Sequence, residues 1–157
     1  MRKSLISRTS SGIVRTEQGW LNLEKLAQVE VTSEDRLHPI ESALLPSASG
    51  GWRAAEPGEQ LIRVIFDEPQ KIDRILLVFE EYELERSQEF VLRWSSNAGQ
   101  SYREILRQQW NFSPPGTVVE CEDYRVQLSN VSVLELHITP HKDHLSAVAS
   151  LAQLRLA

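Results

Sequence analysis

An all-β fold, two antiparallel sheets packed as a sandwich, is what this sequence predicts, and three features predict it. Apolar residues recur with a period of two in several short runs, Ile62/Val64/Phe66, Phe90/Leu92/Trp94 and Leu134/Leu136/Ile138, so each run presents one face to a core. Glycine, proline and asparagine punctuate the chain between these runs, at Gly50-Gly51, Pro57-Gly58, Asn97-Ala98-Gly99 and Pro114-Pro115-Gly116, where they favour turns. No long helical period appears anywhere. About eight short strands separated by turn signals describe a two-sheet antiparallel architecture.

Taken in order, residues 1–19 are polar and aperiodic and are expected to form a loose N-terminal arm, with Ile13 and Val14 placed to pair onto a sheet. Residues 20–157 are expected to form a single domain. Trp20 to Val31 mixes two periods: Leu23, Leu26 and Ala27 have helical spacing, while Val29 and Val31 alternate. A short helical turn feeding a strand satisfies both. From Thr32 to Gly58 the density of proline and glycine excludes a central strand or a long helix and predicts a long connection, with Trp52-Arg53 at its centre. Leu61–Phe66 is a strand that Asp67-Glu68-Pro69-Gln70 is expected to turn. Ile75–Phe79 is apolar on both faces, as a strand in the middle of a sheet would be. The acidic run Glu80–Glu85 leads through Arg86 into a hairpin spanning Phe90–Trp110, turned at Asn97-Ala98-Gly99. After the loop 111–116 come strands at Thr117–Glu120, Tyr124–Leu128, Leu134–Ile138 and Leu151–Leu156. The Cys…Trp…Cys spacing of an immunoglobulin sandwich is absent.

A chain of 157 residues, 41% hydrophobic and 25% charged, can bury a full core without disulfides. Its formal net charge of −5 disfavours general nucleic-acid or anionic-membrane binding, both of which need positive surface. The single cysteine, Cys121, cannot form an internal disulfide. Met1-Arg2-Lys3 is followed by no apolar stretch of signal-peptide length, and no run approaches a membrane span. The expected location is cytoplasmic.

Four segments together resemble the discoidin modules, the coagulation-factor C-type modules of the galactose-binding-domain-like superfamily. They are Gly51-Trp52-Arg53, Leu61–Phe66 with Asp67-Glu68-Pro69 and Ile72, Trp94–Ile105, and Ala149–Leu156. The turn reads Asn97-Ala98-Gly99 where the family has Asp-Gly, and Tyr102 stands where the aromatic is usually Trp. Gln153 replaces an acidic residue of the last strand, and the paired terminal cysteines of extracellular members are missing, as in an intracellular bacterial-type relative. The resemblance covers about residues 30–157. It implies an eight-stranded jelly roll whose ligands, glycans, phospholipid head groups or protein partners, are gripped by loops at one end.

The commonest catalytic signatures, G-x-S-x-G, H-E-x-x-H, C-x-x-C and G-x-G-x-x-G, are absent, and no enzyme activity or cofactor is expected. Cys121 lies between Glu120 and Glu122, whose charge opposes a thiolate. His137, His141 and His144 with Asp143 have the donor types of a zinc or nickel site. Against this, His137 should point away from the core face of Leu134, Leu136 and Ile138, and Pro140 interrupts the run, so no metal is assigned. Glu34 and Asp35 lack a calcium-loop pattern. In the acidic run, the carboxylates, Tyr82 and Arg86 can be read as a binding loop for sugar hydroxyls or a basic partner, or as a solvated turn. Among the aromatics, Trp94 belongs with the core. Trp52 and Trp110 adjoin the irregular loops with Arg53, Gln109 and Asn111 as polar companions, and aromatic rings are platforms for sugar faces. The expected ligand-binding set is therefore Trp52, Arg53, Tyr82, Arg86, Gln109, Trp110 and Asn111. A glycan is the first expected ligand, by resemblance. The alternative is a protein-interaction or oligomerisation domain, a homodimer included.

Overall fold

The computed structural model of the chain describes residues 19–157. Apart from Gly19, the expected N-terminal arm, with the pairing of Ile13 and Val14, lies outside the described residues. The mixed period of Trp20–Val31 resolves into one turn of helix, α1 (Leu23–Leu26), running directly into β1 (Ala27–Val31). The connection that follows is not bare loop. It holds a second single turn, α2 (Glu41–Leu44), and a strand, β2 (Trp52–Pro57), whose Trp52 and Ala54 are buried while Arg53 and Ala55 are exposed. Then come β3 (Gln60–Glu80), β4 (Arg86–Ser95), β5 (Arg103–Phe112), β6 (Val119–Thr139), β7 (Val148–Leu151) and β8 (Gln153–Leu156). The expected eight-stranded all-β sandwich is the architecture observed.

Strand length departs from expectation in three places. Asp67–Gln70 does not reverse the chain: β3 continues through it for 21 residues. Its register against β6 slips between Ile65 and Gln70 and again before Arg74, and Pro69, which has no N–H to donate, sits inside the slip. The bulges move the core face from Ile62, Val64 and Phe66 to Ile75, Leu77 and Phe79, a change of parity that only inserted residues can produce. In the same way the segments predicted as three separate strands fuse into β6, which bends where Asn130 takes a φ of 58°. The closing strand divides instead, into β7 and β8 on either side of Ala152.

The two long, bent strands build both layers of the sandwich. The first half of β3 lies between β1 and the second half of β6, and β4 and β5 extend that layer. The second half of β3 lies between β8 and the first half of β6, which places Ile75–Phe79 in mid-sheet as its composition predicts. β2 and β7 pair as a separate two-stranded ribbon. Between the layers sits one apolar cluster that includes Trp52, Ile62, Leu77, Phe79, Phe90, Phe112, Leu136 and Leu154. Phe79 and Phe90 stack across it with ring centroids 5.2 Å apart. Among the described residues no helix is long and apolar enough to cross a membrane.

Candidate functional site

Three chain segments meet at one end of the sandwich and enclose a hollow of about 440 Å3. Its first wall is the start of β2. Gly51 has a φ of +69°, and a Cβ there would lie 2.7 Å from the Leu151 carbonyl oxygen, so only glycine lets this turn press against the β7–β8 corner. The next residue, Trp52, is 1% exposed and donates its Nε1–H to the Ser33 carbonyl at 3.1 Å. It closes the floor. Arg53 alternates outward to the rim. Its amide donates to the His38 carbonyl at 3.1 Å and its carbonyl accepts from the Asp35 amide at 2.8 Å.

The second wall is the acidic turn between β3 and β4. Glu81 folds back on it: Oε2 accepts the amides of Glu83 and Leu84 at 3.2 and 3.3 Å, and Oε1 accepts Arg86 Nε at 2.7 Å. Burial alone would push this carboxyl up, but the guanidinium and the two amides outweigh it and hold the carboxyl below its ordinary range. Arg86 itself is fully buried. Its Nη1 donates to Gln88 Oε1 at 2.9 Å and to the Pro140 carbonyl at 2.8 Å, and its guanidinium lies 4.7 Å over the Phe112 ring. One arginine thus ties the acidic turn to the segment leading to the third wall, Ser146–Ala152.

What this arrangement offers a ligand is a mixture of one ring and many hydrogen-bonding groups. Tyr82 is 60% exposed. The same hollow is lined by Arg53, Glu80, Glu83, Ser146, Ser150, Leu84 and Val148, and the Ser150 hydroxyl donates to the Glu80 carbonyl at 3.5 Å. Donors and acceptors lining a hollow together with an exposed aromatic suit a polyol with apolar faces. A second hollow, of about 400 Å3, lies on the outer face of the larger sheet, lined by His137 but by no Phe, Tyr or Trp. Its Arg107 is already held by Glu89 and Glu104.

No protein-family model and no curated protein matches the sequence. Solved structures do match. A pectin-binding carbohydrate-binding module shares the fold with a TM-score of 0.60 at 16% identity, over 84% of this chain and 90% of its own. The family 32 carbohydrate-binding module of C. perfringens NanJ, in complex with galactose, gives 0.58 at 15% identity, over 83% and 92%. The family 32 module of AlyQ, in complex with 4,5-unsaturated mannuronic acid, gives 0.59 at 12%, over 84% and 95%. The chain has the discoidin-like, galactose-binding-domain-like fold. The resemblance read from the four sequence segments implied this fold.

Within the discoidin-like frame the predicted residues separate. Arg53 and Tyr82 face the loop-end hollow, and Trp52 forms its floor as a core residue with almost no free surface. Arg86 has no exposed surface on its side chain and acts on the hollow only through Glu81. Gln109, Trp110 and Asn111 lie on β5 and do not line the hollow. Gln109 donates to Ser87 Oγ and accepts from Lys142 Nζ, while Trp110 packs half-buried against the core with its Nε1 lacking a partner among the described residues. The histidines do not converge. His137 points outward and pairs with Glu135 at 3.1 Å, whereas the His141 and His144 rings meet edge to face at 4.6 Å. Among the described residues no three His, Cys, Asp or Glu side chains are placed to hold a metal. Glu34 and Asp35 accept backbone amides within their own loop, from Ile40 and Leu37. Sequence reasoning missed Ser146 and Ser150. Ser150 falls in the Ala149–Leu156 segment that carries the resemblance, but its place in the hollow follows from its pairing with Arg53 across the ribbon, which no local pattern announces.

Proposed function

We propose that this chain is a carbohydrate-binding module with no catalytic role of its own, and that it takes its ligand in the loop-end hollow. One observation carries the proposal: an exposed aromatic residue, Tyr82, lines a hollow together with several hydrogen-bond donors and acceptors. Support comes from the fold, whose solved examples include modules holding sugars. The absence of the common catalytic motifs supports the non-enzymatic half. In this reading a sugar packs its C–H face on Tyr82 and shares its hydroxyls among Arg53, Glu80, Glu83, Ser146 and Ser150.

The test is a calorimetric titration of the intact chain with a panel of oligosaccharides, repeated on Tyr82→Ala. Loss of one stacking contact is expected to weaken binding by about tenfold, in line with roughly 1.4 kcal/mol for such a contact. Binding that is unaffected by the substitution would remove the hollow from the account.

A second reading, docking of a protein partner at the same end, has one observation behind it. Leu37 and Leu145 are 84% and 87% exposed, and each adjoins in sequence a residue that lines the hollow, His38 and Ser146, so large apolar side chains are left in water next to its lining. Sedimentation of the free chain and of a Leu37→Ser/Leu145→Ser variant separates the two readings. Self-association that the variant abolishes, without any sugar response, favours the docking face.

A further inference from the structure

We infer that Glu120 is a proton-controlled latch on the hollow: with its proton it leaves Arg86 to hold the acidic turn, and without it the arginine is drawn inward and the turn carrying Tyr82 is released. As a control on sugar binding this rests on the carbohydrate-binding reading of the hollow. As a coupling built into the fold it stands without that reading.

The coupling runs along buried side chains from the interior of the sandwich to the hollow. Glu120 Oε1 accepts from Gln88 Nε2 at 3.2 Å, Gln88 Oε1 accepts from Arg86 Nη1 at 2.9 Å, and Arg86 Nε donates to Glu81 Oε1 at 2.7 Å. Glu81 Oε2 in turn accepts the amides of Glu83 and Leu84, the two residues after Tyr82. Glu120, Gln88 and Arg86 are all buried, so bulk water does not screen one from the next.

Two atoms of this chain lack a hydrogen-bond partner among the described residues, Arg86 Nη2 and Glu120 Oε2. The second is explained by a proton. Glu122 lies within hydrogen-bonding reach of Glu120, and its own Oε2 accepts the Tyr124 hydroxyl at 2.8 Å. Two ionised carboxylates only accept, so a bond between them needs a proton on one. The titratable and charged groups around Glu120 are therefore Glu122 and Tyr124 of its own strand and Arg86 of β4. Across the pairing with β3 it meets the apolar Phe79. Burial first, and then Glu122, keep the proton on Glu120 up to about pH 8.

Losing that proton leaves a buried anion beside Glu122, and the cation that acts on it is Arg86. An uncompensated charge in such a place is costly, and Arg86 Nη2 is the spare donor that can meet it. The guanidinium is a rigid plane, so turning Nη2 toward Glu120 carries Nε away from Glu81. Glu81 then loses the cation that neutralises it and lets go of the Glu83 and Leu84 amides.

The experiment is carbon-detected NMR of the intact free chain from about pH 6 to about pH 10, a window that brackets the expected titration. The Glu120 carboxyl carbon and the backbone carbonyls of Tyr82 and Glu83 should inflect together at about pH 8. In Glu120→Gln, which keeps both hydrogen-bonding roles and cannot ionise, the turn carbonyls should stay flat. In Glu122→Gln the shared inflection should move to lower pH, because one neighbouring negative charge is gone. Circular dichroism across the window shows that each protein remains folded. Turn carbonyls that stay flat in the unaltered chain overturn the latch, as does an inflection that survives Glu120→Gln. Calorimetry with galactose, glucose and N-acetylglucosamine oligosaccharides on either side of the inflection reads the consequence for binding. Affinity should fall at least about fivefold at the higher pH, the lower end of ordinary coupling between sites, and should hold steady in Glu120→Gln. Affinity that ignores pH while the turn moves overturns the control on binding. No sugar response at either pH overturns the carbohydrate reading, while the inflections still decide the latch.

Discussion

Arg86 shows how much of the hollow depends on a residue that never touches a ligand. Its guanidinium is fully buried and reaches Glu81, Gln88 and the Pro140 carbonyl, the last 54 residues away in sequence. Replacing one partner of a buried charged network leaves the others unpaired and desolvated. Arg86→Met is therefore expected to lower stability by about 3 kcal/mol in denaturant unfolding, and to weaken sugar binding because the turn carrying Tyr82 loses its anchor. In the sequence Arg86 reads as the basic end of an exposed acidic run. Two of its partners, Glu81 and Gln88, are near in sequence, but its burial is not legible there, since the Pro140 carbonyl and the Phe112 ring that complete its surroundings come from distant segments. Tyr82, by contrast, is legible as an exposed turn residue from the charged run around it, whereas Arg53 is exposed because it alternates with Trp52 and Ala54 along β2.

At the scale of elements, local chemistry accounts well for hairpins and poorly for long strands. The β4–β5 hairpin was visible because Phe90, Leu92 and Trp94 alternate and a left-handed turn follows them. Ala98 and Gly99 have φ of 60° and 85°. Alanine pays a steric cost in that region that glycine does not. Ala98→Gly should raise stability by up to about 1 kcal/mol, or roughly 2–4 °C in Tm for a domain of this size. Its amide contact to Ser132 Oγ at 2.9 Å does not depend on the side chain. Thermal unfolding of the two proteins measures the difference, and a drop in Tm would show that the turn is not strained. The bulged passage of β3 through Asp67–Gln70 was not legible, since exposed acidic residues and a proline favour a reversal just as well. What decides between them is the length of β6 available to pair on both sides of the bulge. That is a tertiary fact.

For the whole molecule, the two layers are joined by more than apolar packing. Gln88 of the larger layer donates to Glu120 of the smaller at 3.2 Å, and both are wholly buried. Burial pushes the Glu120 carboxyl up from 4.5 to about 8, and Glu122 beside it adds to the shift. The folded state therefore holds the proton more tightly than the unfolded chain, so stability should fall as pH rises from about 4.5 to about 8 and then level off. Glu120→Gln, which keeps the shape and cannot ionise, should flatten that slope and be the more stable protein above about pH 8. Unfolding curves across this window check the sign; a slope equal in both proteins would exonerate Glu120. The sandwich itself was legible from periodicity and turn residues, which act within single elements. The hollow was only half legible, because its third wall reaches the first through a ribbon pairing of Arg53 with Ser150. The central claim is that a sugar binds there. Amide chemical-shift mapping by NMR during a titration with a bound oligosaccharide tests it most directly. Binding in the hollow should concentrate the shifts at Arg53, Tyr82, Glu83, Ser146 and Ser150. Shifts confined to Gln109–Asn111 on β5, or to Val91 and His137 on the outer sheet face, would contradict it.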